Sequence, residues 1–66
     1  MTTLYYFCMN SNTFEKVIVL NDEASLIINR ANKKLDRYFR TSTAALLFIT
    51  KHIRENPDIK VKFVSV

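Results

Sequence analysis

The chain has 66 residues and a mass of 7.7 kDa, room for a single domain over 1–66, because so short a chain buries only about 60% of the surface its unfolded form exposes. With 48% apolar residues and a formal net charge of +4 it is not a disordered tail, and no apolar run approaches the ~18 residues of a membrane span. The start Met1-Thr2-Thr3-Leu4-Tyr5 lacks the basic n-region of a secretion signal, and Cys8 is the only cysteine, so no intrachain disulfide is available and a cytoplasmic protein is expected.

Residues 3–9 (Thr-Leu-Tyr-Tyr-Phe-Cys-Met) are aromatic-rich and free of Gly, Pro and charge, which predicts a strand partly covered on both faces. Asn10-Ser11-Asn12-Thr13 follows, a cluster of side chains that bond their own backbone in turns. The chain contains no glycine, so asparagine is the residue left to take a positive φ. Phe14 to Leu20 is β-branched and apolar, and residues 3–20 together read as a β-hairpin with a loop of about four residues.

The apolar period then changes. Ala24, Ile28, Ala31, Leu35 and Phe39 recur at steps of three and four, which predicts an amphipathic helix over 22–39. Asn21 or Asp22 would cap it, with Asp22 and Glu23 at the positive end of its dipole. Thr41-Ser42-Thr43 offers fresh N-caps for a second helix over 44–56, with Ala45, Leu46, Ile49 and Ile53 on its core face. Asn56-Pro57-Asp58 ends that helix. Ile59, Val61 and Phe63 alternate with Lys60 and Lys62, a strand running to Val66 with one buried and one solvated face. The order is ββααβ: an α+β domain with a three-stranded sheet, the hairpin plus the C-terminal strand, and two helices packed on one face.

Catalysis is not expected. Cys8 and His52 are alone in their types, and Cys8 lies mid-strand among aromatics, where a small buried residue is its ordinary role. One His and one Cys fall short of the three or four ligands a metal site needs. The absence of glycine removes any Gly-rich phosphate loop, so no cofactor is expected either.

The signals that remain concern binding. Arg30, Lys33, Lys34, Arg37 and Arg40 face only Asp36 within residues 30–40, and the charges elsewhere cancel, so the whole net charge falls in one predicted helix. On that helix Arg30, Lys33, Lys34 and Arg37 form a stripe opposite the apolar face, suited to an acidic protein surface or to phosphates. An ordinary solvated face would also carry such cations. Apolar residues are in surplus: Leu47 falls on the far side of the second helix near Lys51, Phe48 lies on its flank, and the first strand is apolar on both faces. Unburied surface of that kind usually marks an interface.

No motif identifies a family. In size, strand order and lack of a catalytic set, the whole chain resembles many small phage-encoded host-takeover proteins, among them inhibitors of host RNA polymerase, antitoxins and anti-CRISPR proteins. The resemblance implies a compact domain that blocks a larger protein by binding it, and assigns no residue a role. The expectation is therefore a non-enzymatic protein-binding domain, an inhibitor or antitoxin-like factor. Its partner would be an acidic protein surface or a second copy, met through Arg30, Lys33, Lys34, Arg37, Arg40, Leu47, Phe48 and Lys51. The alternative is a small nucleic-acid-binding protein that uses the same helix.

Overall fold

In the computed structural model, which describes residues 1–64, the chain runs β1 (Thr2–Cys8), β2 (Thr13–Val19), α1 (Asn21–Arg30), β3 (Asp36–Phe39), α2 (Ser42–Glu55) and β4 (Lys62–Val64). The α+β class is as the sequence implies. The sheet, however, has four strands in the order β3-β1-β2-β4, because part of the expected first helix is a strand.

The hairpin forms as expected. β1 and β2 pair antiparallel from Thr2↔Val19 to Cys8↔Thr13, joined by the four residues 9–12. Asn12 takes φ 56°, the left-handed conformation that asparagine tolerates better than most residues. Its carbonyl accepts the Lys62 N–H at 2.9 Å, which ties the turn to the start of β4.

α1 stops at Arg30 instead of running to residue 39. Asn32 is the cause: its side-chain oxygen accepts the Lys34 N–H at 3.0 Å, and its carbonyl accepts the N–H groups of Leu35 and Asp36 at 2.9 and 2.6 Å. A short polar side chain that captures nearby backbone in this way competes with helix. Leu35 and Phe39, spaced as helix neighbours, instead lie just before β3 and at its end. The expected side-chain cap of α1 is also absent. Leu20 occupies the N-cap position, and the Asn21 side chain accepts the Thr2 hydroxyl at 2.6 Å. Asp22 and Glu23 do sit in the first turn. At α2, Thr41 caps with its side chain, accepting the Ala44 N–H at 3.2 Å.

The helices lie on opposite faces of the sheet, not on one. Successive side chains of a strand point to opposite faces, and on β3 these divide cleanly. Tyr38 and Asp36 line a groove with α1 residues, whereas Phe39 and Arg37 lie against Phe48 of α2. β1 divides the same way, with Leu4, Tyr6 and Cys8 toward α1 and Phe7 toward Phe48 at 6.0 Å. The connectivity explains this. β2, β3 and β4 are mutually parallel, with β1 antiparallel among them. The β2-α1-β3 crossover passes β1 in one direction, and β3-α2-β4 returns over β1 and β2 in the other. Crossovers of one hand travelling in opposite directions must use opposite faces, and nearly all share one hand.

The core is accordingly split. Leu4 and Ala24 are buried on the α1 side, and Phe7, Ala45 and Ile49 on the α2 side. Leu46 and Ile53, expected in the core, are 48% and 39% exposed. β4 pairs parallel with β2 through Lys62, Phe63 and Val64. It is shorter than the strand read from the sequence, whose residues 65–66 lie outside the described ones, and its Phe63 is exposed, not buried. Ile49→Ala should therefore cost about 2–5 kcal/mol of unfolding free energy, against about 1 kcal/mol or less for Leu46→Ala. Urea denaturation measures both, and equal losses would return Leu46 to the core.

Candidate partner-binding surfaces

The basic stripe expected on one helix does not exist as such, since its members fall on three different elements. Arg30 ends α1. Lys33 and Lys34 lie in the connection that follows, where the Lys33 ammonium donates to the Ile28 carbonyl at 3.0 Å, as a cation at a helix C-terminus favours. Arg37, on β3, sits 5.7 Å above the Phe48 ring and donates to the Asp36 carbonyl. Arg40, on the α1 side, donates to the Ser25 hydroxyl at 3.2 Å.

Cations gather instead at one end of the sheet. The hairpin loop, the α1–β3 connection and the segment entering β4 meet there through Met9 N–H to Leu35 carbonyl (2.6 Å) and Lys62 N–H to Asn12 carbonyl. That end brings together Arg30, Lys33, Lys34, Lys60 and Lys62, the last two drawn from a segment the sequence pattern gave no part in the charge cluster.

Of the residues expected on α2, Leu47 is 68% exposed on the outer surface, and Lys51 is exposed in a 4.0 Å pair with Glu55. Phe48 has a different occupation. It packs against Phe7, Phe39 and His52 at ring-centroid distances of 5.4–6.0 Å, closing α2 onto the β1–β3 half of the sheet. It belongs mainly to the packing, not to a free surface. His52 sits edge-on to Phe7 at 5.5 Å and is part-buried.

Because α2 leans on β1 and β3, the β2–β4 half of that face stays open. Tyr5 stacks on Phe14 at 6.2 Å, and Phe63 meets Phe14 edge-on at 5.6 Å. Phe63 and Ile18 are 62% and 58% exposed, with Lys16 exposed between Phe14 and Ile18 on the same face. At 100° per residue, Leu46 and Ile53 lie on the α2 flank away from Phe48, so their exposed side chains border this open half. These residues read as strand and core from the sequence. Only the four-strand order, with β4 beyond β2, reveals that no helix covers them.

On the α1 side a groove of about 390 Å³ runs between α1 and the edge strand β3, lined by Leu26, Ile27, Arg30, Ala31, Asp36 and Tyr38, with Glu23 at its upper end. Its floor is fixed by the Tyr6 hydroxyl, which donates to the Asp36 carboxylate at 2.6 Å, and by the Tyr6–Tyr38 ring pair at 4.8 Å. Cys8 lies beside this network. Hydrogen bonds from the Ser11 side chain, then its backbone, hold the thiol below its ordinary pKa.

No family model, curated protein or solved structure matches this chain. Among the described residues, no helix is long and apolar enough to cross a membrane.

The hydrogen bond to Asp36, followed by burial, pushes the Tyr6 hydroxyl far above the ordinary tyrosine pKa. A raised folded-state value means the stabilisation is complete below the unfolded pKa of about 10 and is lost as pH rises beyond it. Tyr6→Phe should cost about 1 kcal/mol near neutral pH and lessen the alkaline fall in stability. Denaturation curves from about pH 8 to 11 test this, and identical slopes for the two proteins would deny the bond any role.

Proposed function

We propose that this chain is a non-enzymatic protein-binding domain that docks through the open β2–β4 half of its sheet and acts by blocking a larger partner. The observation that carries the reading is the exposed apolar surface of Ile18 and Phe63, continued by Tyr5 and Phe14 and bordered by Leu46 and Ile53. A single exposed leucine needs no explanation, but neighbouring exposed apolar side chains on one sheet face are the usual mark of an interface. Aromatic rings at the centre supply contact area at little entropic cost, which suits a binding anchor.

The cations at the loop end add steering. An excess of cations over the acids Asp36, Glu55 and Asp58 at one end of a small domain speeds encounter with an acidic partner and orients it, while the apolar contact sets the lifetime of the complex. Ile18→Glu with Phe63→Glu should abolish capture of the partner from lysate with the circular dichroism spectrum unchanged. Lys33→Glu with Lys34→Glu should slow association and weaken its dependence on salt, leaving dissociation nearly unchanged. Capture that survives the Ile18 and Phe63 changes would remove the reading.

The same loop end favours a second reading, contact with nucleic-acid phosphates, by Lys33, Lys34, Lys60 and Lys62 from two converging segments instead of by a helix face. Its signature is steep salt dependence. Labelled DNA or RNA should bind at low salt and lose about tenfold or more in affinity between ~50 and ~200 mM for several phosphate contacts. Absence of binding at low salt would eliminate it.

A further inference from the structure

Among the described residues β3 is an edge strand, paired only with β1, and its hydrogen bonding is uneven. Leu35 accepts from Met9 on the β1 side, which sets the alternation of the ladder: Leu35, Arg37 and Phe39 bond toward β1, and Asp36 and Tyr38 face outward. The outward groups of Asp36 are occupied, its N–H by the Asn32 carbonyl and its carbonyl by the Arg37 guanidinium. Those of Tyr38 have no partner among the described residues. Tyr38 therefore presents an N–H and a C=O at the sheet edge, spaced to exchange two hydrogen bonds with one residue of an added antiparallel strand. A residue opposite Tyr38 points its side chain to the same face as the Tyr38 ring, which is into the groove between α1 and β3.

The charges around the groove are graded. Asp22 and Glu23 stand at the start of α1, and Arg30, Lys33 and Lys34 at its far end. The acid that lines the groove at that far end, Asp36, already accepts the Tyr6 hydroxyl, and neither Arg30 nor Lys34 has an acidic partner among the described residues. An antiparallel strand added to β3 runs toward that end.

We infer that the α1–β3 groove takes an extended peptide that adds a fifth strand antiparallel to β3, with an apolar side chain opposite Tyr38 and acidic residues three or four positions later meeting Arg30 and Lys34. This is strand addition, in which backbone bonds give affinity and a pocket for one side chain gives selectivity. The inference deepens the protein-binding reading but uses a different surface. Ile18→Glu with Phe63→Glu leaves the groove intact, so failure at one surface is distinguishable from failure at the other.

The test is fluorescence anisotropy with a labelled synthetic peptide, Ser-Thr-Leu-Thr-Ser-Glu-Glu, whose leucine is placed opposite Tyr38. Saturable binding is expected in the micromolar to sub-millimolar range. Methylating the leucine amide nitrogen, a change in the ligand that cannot disturb folding, should weaken it roughly tenfold by removing one backbone donor. Arg30→Glu with Lys34→Glu, both exposed, should weaken it by a similar factor and abolish its salt dependence. No binding at millimolar protein, or equal binding of the methylated peptide, would overturn the inference. So would light scattering that finds a dimer paired through β3, since a second copy would then be the occupant.

Discussion

Leu4 and Phe7 lie three residues apart on β1, and both are fully buried. On a pleated strand they point to opposite faces, so each must have its own cover, and the rest of the architecture follows from that requirement. α1 covers Leu4 and α2 covers Phe7, and the two crossovers pass over β1 in opposite directions to reach those faces. β1 is thereby central, antiparallel to its neighbours, and free of charged residues along its whole length. Burying two such side chains contributes about 2–3 kcal/mol each, a large share of the stability a chain of this length commands.

That requirement also explains which parts of the fold were legible in the sequence. The uncharged, aromatic run of β1 already implied cover on both faces, and Asn12 at φ 56° and Thr41 at the α2 cap follow from side-chain chemistry at single positions. Residues 31–40 were not legible. Ala31, Leu35 and Phe39 satisfy a helical period, yet Leu35 and Phe39 equally satisfy the alternation of a strand entered at Leu35. What separates the two is the capture of three N–H groups by Asn32, a local competition that apolar periodicity does not register. Once β3 is a strand, the cations placed on a helical stripe move to a helix end, a loop and a strand face.

The surfaces available for binding follow from incomplete cover. Two helices of 10 and 14 residues do not span both faces of a four-stranded sheet. α2 is drawn toward β3 by Phe48, which meets Phe7, Phe39 and the Arg37 guanidinium, and the β2–β4 half is left open as a result. On the other face, α1 leaves a groove at the β3 edge. Phe48 was legible as apolar surplus, but its part in positioning α2, and hence in exposing Ile18 and Phe63, appears only with the strand order.

Charge and apolar surface are therefore separated in space, and the separation has a physical consequence. Both helices end at the loop pole where the cations collect, so the negative ends of their dipoles offset part of that positive charge. Lys33 is already engaged with the Ile28 carbonyl of α1, which leaves less of its charge to act at a distance. Arg30, Lys34, Lys60 and Lys62 carry the remaining field into solvent, where salt screens it beyond about 8–10 Å. Such a field acts on approach and orientation. On the proposed reading, lasting contact would fall to the open half-sheet, where apolar area can be removed from water, and to the β3 edge, where the Tyr38 backbone, without a partner among the described residues, can be satisfied. A partner that met only the charged pole would dissociate quickly, and one that reached an apolar surface while its own acids faced that pole would be both fast to bind and slow to leave.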